Sequence, residues 1–97
     1  MRSVEFHPDA QAELISAARF FDRKTVGLGL KFIRAIQRAS QGIPAFPNRG
    51  HRLGVHLRRL LVPGFPYGLL YRVEPDRVFI LAVMHLHRRP GYWGSCV

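Results

Sequence analysis

Residues 62–86 read VPGFPYGLLYRVEPDRVFILAVMHL, and their punctuation decides the architecture. Val62-Pro63-Gly64-Phe65 places proline second and glycine third in a turn, the pattern of type II, whose third residue needs a positive φ. Tyr67, Leu69, Tyr71 and Val73 then alternate with Gly68, Leu70, Arg72 and Glu74, the two-residue period of a strand. Glu74-Pro75-Asp76-Arg77 turns the chain again, with proline second, and returns it into Val78–Leu86. That segment is apolar on both faces, which places it inside a sheet rather than at an edge. Val55–Val62, just upstream, has the same period. The three segments predict an antiparallel meander.

Further upstream the period is helical. Arg2–His7 is a short strand in which Val4 and Phe6 alternate with Ser3 and Glu5. Pro8 suits the first position of a helix, and Asp9 and Glu13 lie near the positive end of its dipole. Ala10, Leu14, Ala17, Ala18 and Phe21 share one face. After a break at Thr25-Val26-Gly27, Leu28, Phe32, Ala35, Ile36, Ala39 and Ile43 share a face of a second helix, opposite Lys31, Arg34, Gln37, Arg38 and Gln41. Apolar and polar stripes at this spacing define amphipathic helices. Pro44 to Gly50 ends the second helix and opens an irregular stretch. The expected fold is α+β, with the N-terminal strand and a helical hairpin packed on one face of an antiparallel sheet.

Ninety-seven residues, 47% apolar and 22% charged, make one domain, residues 1–97, with a single core. The longest apolar run, Val78–Met84, is seven residues, against the roughly 20 that span a bilayer, so no membrane partner is expected. Val4–Phe6 gives way to His7-Pro8-Asp9, so no signal peptide is expected either. The single Cys96 excludes an internal disulfide and a multi-cysteine zinc cage. A cytoplasmic location follows as the expectation. Charge is the abnormal quantity: fifteen Lys and Arg against six Asp and Glu leave +9, and thirteen of the fifteen are arginine. Residues 49–97 hold eight of these cations and two anions, a net +6. Such a surface attracts phosphate backbones or an acidic protein, and arginine suits bidentate capture of either.

An RNase that activates a 2′-hydroxyl needs a base, a cation for the phosphorane and an acid for the leaving oxygen. The residues able to serve are Arg58, Arg59, His85, His87, Arg88 and Tyr92. Strand alternation puts Arg58 and Arg59 on opposite faces, and puts His85 and His87 on the face of Phe79, Leu81 and Val83. His51 with His56, and His85 with His87, lack an accompanying cysteine or carboxylate, so neither a metal nor another cofactor is expected. Gly27-x-Gly29 lies between helices and is a helix entry rather than a dinucleotide fingerprint. Tyr67, Tyr71, Tyr92 and Trp93 are of a type able to stack on bases, though the pair Tyr92 and Trp93 reads better as packing against the helices.

Taken in order, these residues resemble the ParE branch of the RelE/ParE toxins of type II toxin–antitoxin systems, a group tied to plasmid stabilisation. The matching elements are Val4-x-Phe6-x-Pro8-x-Ala10, Leu28-Gly29-x-x-Phe32-x-x-x-Ile36, Phe46-Pro47-x-x-Gly50, Phe65-Pro66-Tyr67-x-x-x-Tyr71, Ile80-Leu81-Ala82-Val83-x-His85-x-x-Arg88 and Tyr92-Trp93. They cover about nine-tenths of the chain. Many relatives carry an arginine just after the Tyr-Trp pair, where this sequence has Gly94. The resemblance implies a toxin neutralised by a cognate antitoxin, with no small-molecule substrate. ParE-like relatives inhibit DNA gyrase; RelE-like relatives cut mRNA on the ribosome. Leu69–Val73 offers only Arg72, and no lysine follows Lys31, which favours gyrase inhibition by protein–protein contact over the alternative, a metal-independent mRNA endonuclease. The target-binding residues expected are Arg58, Arg59, Arg88, Arg89, Tyr92 and Trp93.

Overall fold

The computed structural model describes residues 2–87. A strand, β1 (Ser3–Phe6), leads into two helices, α1 (Pro8–Lys24) and α2 (Leu28–Gln41). Four strands follow: β2 (His51–Arg52), β3 (Arg58–Leu61), β4 (Tyr67–Val73) and β5 (Arg77–His85). They form one sheet in the order β1-β5-β4-β3-β2. The meander β3–β4–β5 is antiparallel, and Gly64 has φ +85° as the third position of its first turn requires. β1 joins on the far side of β5 and runs parallel to it, Val4 opposite Val78 and Phe6 opposite Ile80. The sheet is therefore mixed, and β5 lies inside it, between β1 and β4.

Local chemistry explains the helix ends. His7 precedes α1, and its Nδ1 accepts the Asp9 N–H at 3.0 Å, satisfying one of the donors a helix start leaves open. α2 has no capping side chain of its own. Asp22 of α1 supplies one, its Oδ1 accepting the Gly29 N–H at 2.7 Å. A Cβ at Gly29 would stand 2.5 Å from the Ala18 carbonyl oxygen, so glycine is what lets the two helices meet this closely.

The hairpin covers one face of the sheet. Leu14, Ala17, Ala18, Phe32, Ile36 and Ile43 are buried there against Leu69, Tyr71, Val78, Ile80 and Val83, with Phe21, Ala35 and Ala39 half-buried at the margin. The opposite, far face carries a smaller cluster of Leu70, Leu81, Ala82 and Met84, flanked by Leu53, Leu57 and Phe79.

Two expectations are corrected. Leu70 faces Ala82 while Tyr71 faces Ile80, which leaves Leu81 as an extra residue, a β-bulge. Leu81 and Ala82 consequently both join the far face, and the alternation changes phase. Val83 and His85 lie on the helix side, not on a face shared with Phe79 and Leu81. The strand expected over Val55–Val62 begins only at Arg58, and Val55 is exposed. Gly54, at φ +88°, and the bond from the Leu53 N–H to the Leu57 carbonyl reverse the chain there, so that His51–Arg52 folds back as β2.

Candidate functional site

Pairing with β4 settles where the two strand arginines go. Arg58 lies opposite Tyr71, on the helix side, and Arg59 lies opposite Leu70, on the far side. Arg58 is drawn into the loop before β2. Its Nη1 donates to the carbonyls of Gly50 at 2.8 Å and Asn48 at 3.2 Å. Tyr71, buried beside it, holds the same loop: its hydroxyl donates to the Pro47 carbonyl at 2.8 Å and accepts the Gly50 N–H at 3.0 Å. Burial pushes the Tyr71 hydroxyl up from the usual tyrosine range, opposed by the Gly50 bond and the Arg58 charge. Arg59 lays its stem across Gly68, where a Cβ would come within 3.1 Å of its Cγ. Its Nε is buried with no acceptor among the described residues.

The arginines of β4 and β5 are neutralised. Glu74 accepts from Arg77 Nε at 2.6 Å and from Arg72 Nε at 2.8 Å, and Arg77 also reaches Glu5 at 3.2 Å. The two guanidinium groups lie over Phe79, at 3.9 Å for Arg77 and 5.7 Å for Arg72. Hydrogen bonds from Arg77, then Arg72, hold the Glu74 carboxyl below its ordinary range, and the bond to Glu74 raises Arg77 in turn.

His85 is half-buried with its ring 5.1 Å from that of Tyr67, edge to face, and its Nδ1 accepts the His87 N–H at 3.1 Å. His87 is exposed, 5.5 Å from the His85 ring. Tyr67 is the register partner of His85 and Tyr71 that of Arg58. Four residues of β4 separate those pairs, about 13 Å at the usual strand rise. Arg58, Arg59 and His85 are therefore not brought together around one reacting atom. Arg88, Arg89, Tyr92 and Trp93 lie outside the described residues.

Glu13 was not marked by the sequence as more than a helix-start acid. Its Oε1 crosses to β5 and accepts the Val83 N–H at 3.0 Å, where β1 has already ended. An acidic residue one turn into an amphipathic helix gives no sign of such a partner seventy residues away. The Tyr71 tether had a signal, a tyrosine on the inward phase of a strand, because a buried hydroxyl must find partners. Between α2 and β3 runs a groove of about 450 Å³ with Ala35, Ala39, Leu60, Leu61 and Pro63 as its apolar lining and Arg38 and Arg49 as its cations. Among the described residues no three His, Cys, Asp or Glu side chains gather as metal ligands, and no helix is long and apolar enough to cross a membrane.

A helical hairpin packed on one face of a mixed five-stranded sheet is an α+β architecture shared with a protein of known structure. One solved structure, described as "Chromosomal ParDE TA system from P. aeruginosa", superposes with a TM-score of 0.81 at 20% identity, over 90% of this chain and 98% of that one. No curated protein matches the chain. The model of the family described as "ParE toxin of type II toxin-antitoxin system, parDE" matches residues 4–90. The chain belongs to that family: it is the toxin of a parDE type II toxin–antitoxin system.

Proposed function

We propose that this toxin acts in the cytoplasm on DNA gyrase through a protein–protein contact rather than by cutting RNA. The observation that carries the reading is the charge pattern of the sheet. Arg72 and Arg77 are paired with Glu74 and Glu5, Arg58 gives Nη1 to loop carbonyls, and Arg59 lies opposite Leu70 of β4 and His51 of β2, one imidazole with no carboxylate among the register partners to serve as a second acid–base group. General acid–base cleavage needs such groups within hydrogen-bond reach of one site. Inhibition by contact needs only a complementary surface, and arginine and aromatic residues dominate such surfaces. The cluster Arg88-Arg89-x-x-Tyr92-Trp93, with Arg59, supplies those residue types.

A cognate antitoxin neutralises the toxin in this reading. The groove beside α2 supports it: an apolar floor with Arg38 and Arg49 fits a segment both acidic and apolar, disordered alone and ordered on binding. The test is direct. Purified toxin should slow gyrase supercoiling or trap cleaved DNA, removing residues 88–97 should abolish the effect, and the product of the neighbouring operon gene should restore supercoiling. Unimpeded gyrase at saturating toxin, together with ribosome-dependent mRNA cleavage, overturns the proposal in favour of the endonuclease.

A further inference from the structure

A second concave site lies on the helix side of the sheet, beyond the end of the hairpin. Asn48, Arg52, His56, Arg58 and Tyr71 line it, with apolar walls from Val55, Leu57 and Val73, around a space of about 210 Å³. Arg52 and Arg58 are register partners across β2 and β3. Like charges directly opposite one another on a strand pair are destabilising. Among the described residues no carboxylate lines the site to offset them. The six acids are engaged or placed elsewhere: Glu5 and Glu74 with Arg72 and Arg77, Asp22 with Gly29, Glu13 with Val83, Asp9 beside His7, and Asp76 in the turn between β4 and β5. Arg58 spends one nitrogen, Nη1, on the Asn48 and Gly50 carbonyls, and Tyr71 pins the loop that carries them. Its remaining fork makes no hydrogen bond among the described residues, and neither Arg52 nor His56 makes one there.

We propose that this pocket, built by Asn48, Arg52, His56 and Arg58, is an oxyanion site that takes a phosphate group. A carboxylate carries one charge and two oxygens, which a single arginine fork satisfies. A phosphate presents more oxygens and as much as two charges, and two forks from neighbouring strands can share it. Its source is either a nucleic-acid backbone or a free phosphorylated molecule; the chemistry of recognition is the same. The site lies on the opposite side of the sheet from Arg59, and the proposal does not depend on gyrase being the target.

Three probes test it on the intact toxin: inorganic phosphate, a short DNA duplex and a glutamate-rich peptide, each titrated while amide and side-chain resonances are followed by NMR. Phosphate should shift Arg52, His56 and Arg58, and Arg52→Ala should weaken that binding several-fold without changing the melting temperature appreciably. Arg34→Ala, on the outer surface of α2, should leave the phosphate titration as it is. If the duplex binds at the same resonances, and Arg52→Ala lowers the slope of log K against log salt by about one, the phosphate comes from a nucleic-acid backbone. If inorganic phosphate binds there and the duplex does not, the ligand is a free phosphorylated molecule. The proposal falls if phosphate shifts no resonance of the pocket, if Arg52→Ala and Arg34→Ala weaken it equally, or if the peptide occupies the pocket more tightly than either phosphate probe.

Discussion

Leu69 and Leu70 are neighbours on β4, both with no accessible surface, and they are buried by different means. Leu69 faces a two-helix lid and an aromatic cluster in which Phe32 stands 5.1 Å from Phe21 and from Phe65 and 4.8 Å from Tyr67. Leu70 faces the far side, where Leu53, Leu57 and Phe79 close over four residues and the neighbouring charges are matched by Glu74 and Glu5. Antiparallel sheets commonly keep one face in water. Here the central strand is apolar on both faces, so the middle of the far face holds a second apolar cluster rather than charge. The helix side stabilises the domain; the far side is neutral at one end and keeps Arg59 at the other.

The comparison is most easily broken at Phe32. Phe32→Ala should cost about 3–5 kcal/mol, as aromatic core truncations do, which in a domain of this size removes much of the total stability. Chemical denaturation measures it, and a loss below about 1 kcal/mol would mean the hairpin does not hold the core. Leu69→Ala and Leu70→Ala sharpen the contrast. Each should cost roughly 2–5 kcal/mol, and a much smaller loss for Leu70 alone would show that the far cluster is a surface rather than a second core.

Tyr71→Phe comes next. It keeps the ring and removes the hydroxyl, leaving the buried Gly50 N–H without its acceptor, at a cost of about 1–3 kcal/mol. Because burial raises the Tyr71 hydroxyl above its unfolded value, its contribution is whole below the usual tyrosine range and is lost as the pH rises through the folded value. Alkaline destabilisation should therefore be weaker in Tyr71→Phe than in the parent, read from melting temperature against pH.

Glu74→Gln should have the smallest effect. The Glu74 carboxyl is held below its unfolded value by Arg77 and Arg72. Its contribution is present above the ordinary carboxylate range and disappears as the pH falls through the folded value. The variant should lose that acid-side dependence, and added salt should shrink the difference between the two proteins, because exposed ion pairs are screened. A difference unaffected by both pH and salt would show that the Arg72–Glu74–Arg77 network is not electrostatic in origin.

Much of this was legible in the chain. The hairpin followed from two amphipathic stripes, and the meander from two proline-bearing turns, because local sterics and periodicity act over a few residues. The interior position of Val78–Leu86 was legible too, since a strand apolar on both sides has no other stable place. What was not legible needed partners distant in sequence. The parallel docking of β1 on β5 joins residues more than seventy apart, and no local signal encodes strand direction. The bulge at Leu81 shifts the register of β5 against β4, and it puts His85 on the helix face. In the same way Arg58 and Arg59 differ only by one residue of phase in the sequence. Packing made Arg58 a tie for the loop before β2 and left Arg59 across Gly68 with an unmatched nitrogen. The sequence by itself determined the elements and the excess of arginine. Only the tertiary structure decided which of those arginines are neutralised and which are free, because charge pairing depends on distances of a few ångströms that the chain closes only when folded.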